Sequence, residues 1–330
     1  MMQQTKQLLP GIQEDLEGYI KEFDFGKNPR ELYQPITYLM GLGGKRVRPL
    51  LVLLAYRLYR ADYKRALAPA SAVEVFHNFT LMHDDIMDQA PLRRGMPTVH
   101  EKWNANTAIL SGDVMLVKAY DMLLETPQGK LAEAIRLFNR TAAEVCEGQQ
   151  LDMNFEGESV VSEDAYIEMI RLKTAVLLGF ALQLGALLAD APKADAERLY
   201  TFGVLVGIGF QLKDDLLDVY ADKAKFGKQV GGDIIANKKT YLLIKALELS
   251  HGKVKEELTG WIADQNPDKA AKVAAVTAIY DSLGIRSLTE EKIRSYFDQG
   301  FSQLSELKTT DEEALALLRT VVEDLINREK

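Results

Sequence analysis

Two stretches carry residues whose spacing could bind metal: FHNFTLMHDDIMDQAPLRRG, Phe76–Gly95, and GFQLKDDLLDVY, Gly209–Tyr220. Each contains Asp-Asp-x-x-Asp within an apolar helical pattern. On an α-helix that spacing sets Asp84 over Asp88, and Asp214 over Asp218, on one face about 6 Å apart. Like charges so close repel unless a counter-ion lies between them. Two such clusters in one chain point to carboxylates converging on divalent cations, and Mg²⁺ prefers carboxylate oxygen. The alternative is a solvated acidic face. It fits poorly with the flanks Phe76, Phe79, Leu81, Met82, Ile86 and Met87, which are too apolar for a freely exposed helix.

Basic and polar groups accompany the carboxylates. Arg93 and Arg94 follow the first cluster directly. Alone they could be surface residues; beside metal-binding carboxylates they would complete a polyphosphate site, with guanidinium forks taking the oxygens that metal does not. In GLGGKRVRP the glycines permit a tight turn, and Lys45, Arg46 and Arg48 stand before a new helix. That turn reads either as a diphosphate seat or as a helix cap with ordinary surface basics. His77 shares a face with Asp84 and suits a hydrogen bond to substrate. Zinc ligation by His77 and His83 lacks the zincin arrangement, and His83 reads as structural. Lys173 and Thr174 put an ammonium and a hydroxyl where a core residue is expected, Gln211 shares the side of Asp214, and Lys228 and Lys238 flank Asp233. There is no GxxxxGK[ST] loop, dinucleotide fingerprint or G-x-S-x-G elbow. The remaining chemistry is ionisation of a diphosphate leaving group from an apolar remainder, with charge stabilised where it develops.

Helices must position these groups. Apolar spacing predicts them near 8–24, 30–40, 50–60, 66–89, 98–125, 130–154, 162–189 and 194–220, then 239–250, 252–264, 268–282, 288–304 and 310–326. Thr309 or Thr310 would cap the last. No long period-two alternation demands a sheet, and nothing reads as a linker. The expected fold is therefore all-α, one helical-bundle domain over 1–330 with its site in a central cavity. A formal charge of -8 and a pI near 5.3 argue against a nucleic-acid binder or a membrane-surface protein. They leave an anionic small substrate open, since local cations and metal can invert the field of a site. The lone Cys146 excludes an intramolecular disulfide and fits a reducing compartment. With no signal-like start and no run of 18 uncharged apolar residues, the expectation is a cytoplasmic protein that does not span a membrane.

Five pieces in order, GGKRVRP at 43–49, HDDIMD with LRRG at 83–95, KT at 173–174, GFQLKDDLLD at 209–218, and FGKQVGGD with NKK at 226–239, resemble the trans-isoprenyl diphosphate synthases, or polyprenyl synthetases. The resemblance spans about 200 residues; the last 80 or so are less diagnostic. It implies Mg²⁺-dependent head-to-tail condensation: an allylic diphosphate ionises, the double bond of isopentenyl diphosphate attacks its C1, and the cation loses a proton, the released diphosphate accepting it. It further implies three Mg²⁺, two on Asp84 and Asp88 and one on Asp214, with Asp85 and Asp218 supporting. Arg93, Lys173, Lys228 and Lys238 would hold the allylic diphosphate. Lys45, Arg48, His77 and Arg94 would hold isopentenyl diphosphate, and Thr174 and Gln211 would line the reacting centre. The family is usually homodimeric. Arg328 and Lys330 match poorly the C-terminal basics that close over the site in some eukaryotic relatives.

Within the resemblance, Phe79 and Thr80, five and four residues before Asp84, form the floor of the hydrocarbon tunnel. One Phe with a small neighbour resembles synthases of geranylgeranyl diphosphate (C20). Farnesyl diphosphate (C15) or a longer product is the alternative. A terpene cyclase is disfavoured by two pairs of basic elements suited to two diphosphates, and a non-catalytic subunit by the presence of both aspartate motifs.

Overall fold

The helix that carries the first aspartates is packed on nearly every side. The computed structural model describes residues 2–221, 231–309 and 311–326. It is all-helical apart from one two-residue-per-strand hairpin among the described residues. The chain divides into two compact units, one of residues 1–140, 180–200 and 307–319, the other of 141–179, 201–306 and 320–330.

In the first unit, α1 (Met2–Glu22), α2 (Arg30–Gly41), α3 (Val47–Arg57) and α4 (Leu67–Met87) are followed by a hairpin, β1 (Leu92–Arg93) and β2 (Met96–Pro97). Then come α5 (Val99–Lys102), α6 (Ala105–Leu123) and the start of α7 (Gln128–Gly157). The predicted helix over 98–125 is therefore two, because Asn104 turns extended and caps α6 by accepting from Thr107 N at 2.9 Å. The run Pro49–Tyr56 is buried throughout, so α3 is apolar on all faces rather than amphipathic. α4 packs on α3 and α6, and the Phe76 ring meets Phe138 edge-on with centroids 5.0 Å apart.

Beyond residue 140 the chain runs through the second unit, with residues 180–200 and 307–319 belonging to the first: α7 ends and α8 (Glu163–Ile170) runs through a π-turn at Arg171–Ala175 into α9 (Val176–Leu188). α10 (Lys193–Tyr220) carries the second aspartates. After the undescribed residues come α11 (Gly232–Ile235), α12 (Tyr241–Leu249), α13 (Gly252–Ala263), α14 (Lys269–Ser282), α15 (Ile285–Leu304) and α16 (Glu312–Ile326). The cap of α16 is Asp311, which accepts from Ala314 N at 2.9 Å, and not Thr309, whose hydroxyl instead accepts from Asp311 N at 3.1 Å. Thr310 lies outside the described residues. The run Glu163–Leu188 is long and apolar enough to cross a membrane, but 72% of its most apolar window is buried in the protein, as in a core helix.

Candidate active site

The first aspartates sit on the last turn of α4. Asp88 N donates to the Asp84 carbonyl at 2.8 Å, so the two residues stand one helical turn apart. Asp84 is half-buried and Asp88 exposed. Their charges add to the partial negative charge of a helix C-terminus, an arrangement that costs free energy unless a cation answers it. Asp85 points the other way, with its side chain 3% exposed. Its carboxylate takes Arg93 in a fork, Nε to Oδ2 at 2.8 Å and Nη2 to Oδ1 at 2.7 Å. The hairpin, unforeseen in the loop after the motif, supplies the reach: Arg93 lies on β1, and Arg94 at φ 55° and Gly95 at φ 77° make the turn.

Arg48 and His77 form a second pair in this unit, with Arg48 Nη1 3.1 Å from His77 Nε2. A guanidinium only donates, so Nε2 accepts and the ring proton lies on Nδ1. Burial, and next the Arg48 charge, hold the imidazole well below its usual pKa, which keeps it neutral. Lys45 is exposed. Arg94 lies against Gly44: a Cβ there, at φ 145°, would fall 2.9 Å from its Nη2. Arg46, read with its neighbours as one of three cations on the seat, is instead buried at 7% exposure and paired with Glu74 and Glu17. Phe79 and Thr80 are both half-buried. The Phe79 ring sits between Phe76 and His83, with centroids at 5.6 and 4.7 Å, and the Thr80 hydroxyl donates to the His77 carbonyl at 2.8 Å. His83 bonds the Ile109 carbonyl at 3.1 Å and packs where a Cβ on Gly112 would be, 2.3 Å away, as a structural histidine does.

The second unit builds its groups around the π-turn. Insertion of one residue into the helix pushes Lys173 and Thr174 out of the α register. The bulge fits because α7 and α10 present glycines to it: a Cβ on Gly148 would lie 2.2 Å from Lys173 N, and one on Gly207 2.6 Å from Ala175 Cα. Lys173 Nζ then meets Asp152 of α7 at 2.5 Å. Thr174 donates to Gln211 Oε1 at 3.1 Å, and Gln211 Nε2 donates to Asp215 Oδ1 at 3.1 Å. The Tyr166 hydroxyl donates to the other oxygen of Asp215. Its own pKa is driven well above the usual range by burial and then by Asp215, so it stays a donor. Burial pushes the Asp215 carboxyl up against the opposing pull of Lys238.

Asp214 is exposed and Asp218 half-buried. Asp218 Oδ2 accepts from Asp233 N at 2.9 Å, tying the start of α11 to α10. Asp233 is raised by burial first and by Asp215 next. Lys238 is exposed and fixed in backbone, its N donating to the Asp233 carbonyl at 2.9 Å. Lys228, like Arg328 and Lys330, lies outside the described residues.

In both motifs, then, the middle aspartate is engaged inward by a protein donor. Sequence reading missed Asp215, Asp152 and Tyr166. A readable signal for Asp152 existed: Gly148, a mid-helix glycine, stands one turn before it on the same face. Among the described residues no three His, Cys, Asp or Glu side chains close around one point. Open carboxylate pairs suit Mg²⁺, which keeps water and takes one or two carboxylates together with substrate phosphates, better than they suit an all-protein cage.

All-helical architecture, twin Asp-Asp-x-x-Asp helix segments and guanidinium or ammonium groups beside each define a diphosphate-handling enzyme. The family model described as polyprenyl synthetase matches residues 29–280, through both units, and the chain belongs to that family. It is 38% identical over 303 residues to the geranylgeranyl diphosphate synthase of Methanosarcina mazei, covering 91% of each chain. A crystal structure of a geranylgeranyl pyrophosphate synthase matches at TM-score 0.90 and 41% identity over 99% of both chains. A polyprenyl synthase from Caulobacter crescentus CB15, solved with calcium and isoprenyl diphosphate, matches at 0.86 and 26%, covering 100% of this chain and 98% of that one. With the family comes its activity: this is a trans-prenyltransferase of the EC 2.5.1 type that condenses prenyl diphosphates head to tail with a divalent metal.

Proposed function

We propose that the chain acts as one catalytic domain that extends an allylic diphosphate with isopentenyl diphosphate to all-trans geranylgeranyl diphosphate (C20). The observation that carries the length is the Phe79 ring, held by Phe76 and His83 in the turn preceding the aspartates. A ring fixed by two neighbours makes a stiff floor, because overpacking it against a longer chain is costly. The small Thr80 beside it leaves more room than a second aromatic would. The names of the M. mazei relative and of the matching crystal structure support the same product.

In this reading Asp84 and Asp88 hold two Mg²⁺ and Asp214 a third, with Asp85 and Asp218 in support. Bound metal supplies positive charge to the departing diphosphate. Arg93, Lys173, Lys228 and Lys238 hold the allylic diphosphate and stabilise charge as its C1–O bond breaks. Lys45, Arg48, His77 and Arg94 hold isopentenyl diphosphate so that its double bond meets the allylic C1. The Thr174 and Gln211 oxygens turn negative dipole toward the carbocation, and the released diphosphate takes the proton.

We propose a cytoplasmic homodimer with no nucleic-acid partner. The α6 face that bears Ile109, Leu110 and Val117, exposed by 43, 58 and 58%, is an apolar stripe at helical spacing that a second copy would cover.

Labelled isopentenyl diphosphate with dimethylallyl, geranyl or farnesyl diphosphate, with and without EDTA, tests the reading by product size. A C20 main product is expected. A C15 main product, or one longer than C20, overturns the length, and no Mg²⁺-dependent product with any primer overturns the assignment.

A further inference from the structure

The arginine between Lys45 and Arg48 faces into the protein. Arg46 is left-handed, at φ 46° and ψ 39°, a conformation that sterics disfavour for a non-glycine residue. All three nitrogens of its guanidinium are held: Nε donates to Glu17 at 3.0 Å, Nη1 to Glu74 at 2.8 Å and Nη2 to the Met40 carbonyl at 2.8 Å. One side chain thus ties the glycine turn to α1, α4 and the end of α2. Glu74 is 3% exposed, and the same Oε1 also accepts from Asn78 at 3.1 Å.

His77 stands three residues along α4 from Glu74, on the same face, and receives Arg48 at 3.1 Å. The turn is therefore fastened to α4 at two points, Arg46 in Glu74 and Arg48 on His77. Lys45 is left on the exposed side, and Gly44 forms the backing of the Arg94 guanidinium. A shift of this turn would move the support of all four residues proposed to hold isopentenyl diphosphate. A buried ion pair gives little net stability over an apolar pair of the same volume. Setting the path of the turn accounts better for its presence.

We infer that Arg46 and Glu74 are positioning residues for the isopentenyl diphosphate seat, acting on Lys45, Arg48, His77 and Arg94 without touching substrate. The inference rests on the proposed roles of those four. Arg46→Lys keeps the charge and loses the fork. Arg46→Met together with Glu74→Leu replaces the pair by apolar side chains and keeps the fold should the single variant unfold.

Steady-state kinetics with both substrates varied, thermal melting, and calorimetric titration of isopentenyl diphosphate into each protein form the test. Expected for both variants is a rise in KM and in the calorimetric Kd for isopentenyl diphosphate on the order of ten- to a hundredfold, since ångström misplacement costs about that much. The allylic KM should stay within about twofold, an asymmetry that general destabilisation does not produce. Folded variants with unchanged affinity for isopentenyl diphosphate, or with both KM values raised alike, overturn the inference. A wild-type protein without turnover overturns the functional reading, and this inference with it.

Discussion

The Arg93 guanidinium grips the Asp85 carboxylate through two parallel bonds, at 2.8 and 2.7 Å. The carboxylate is buried and the arginine one-quarter exposed, so the fork fixes Arg93 while three of its five N–H groups remain for an anion. Asp85→Asn breaks the fork, because the amide nitrogen meets a donor. The expected result is a rise in the allylic KM of about tenfold with the isopentenyl KM little changed. Steady-state kinetics decide it, and an unchanged allylic KM would rule out the positioning role of Asp85.

The π-turn depends on Gly148. A methyl there would stand 2.2 Å from Lys173 N, against backbone rather than a side chain that can swing away. Gly148→Ala should cost about 1–3 kcal/mol by overpacking, seen as a melting temperature several degrees lower. It should also reduce kcat, since Lys173 and Thr174 move with the turn. A variant that melts and turns over like wild type would show that the two helices can part cheaply.

Stability of the metal-free protein should depend on pH through Asp233 and Asp215. Both are raised chiefly by burial, so the folded protein holds protons that the unfolded chain has released. Their contribution is complete below the ordinary carboxylate pKa near 4 and is lost as pH rises toward neutrality. His77, depressed when folded, pulls the opposite way below about pH 6.5. The reading is therefore the difference between wild type and Asp233→Asn in urea melts with EDTA. Wild type should lose ground to the variant from about pH 4 to 7. A flat difference would mean that Asp233 titrates normally.

Phe79 can be tested directly. Phe79→Ala removes the ring held between Phe76 and His83, and the product distribution should shift by one or more five-carbon units. Product sizing with a farnesyl primer measures it. An unchanged distribution would place the floor elsewhere.

Much of this was legible in the residues. Helix periods located most elements to within a few positions, and the i, i+4 spacing fixed Asp84 and Asp88 on one turn, because a helix's geometry is set by its own neighbouring residues. The order of the five motifs carried the family. Only the tertiary structure decided the direction of Arg46, the π-turn at Arg171–Ala175, the hairpin that brings Arg93 to Asp85, and the joining of Tyr166 to Asp215 across 49 positions. Each is a choice between locally similar conformations. What selects among them is a contact with a distant element: a buried carboxylate for Arg46, and glycines on two other helices for the π-turn.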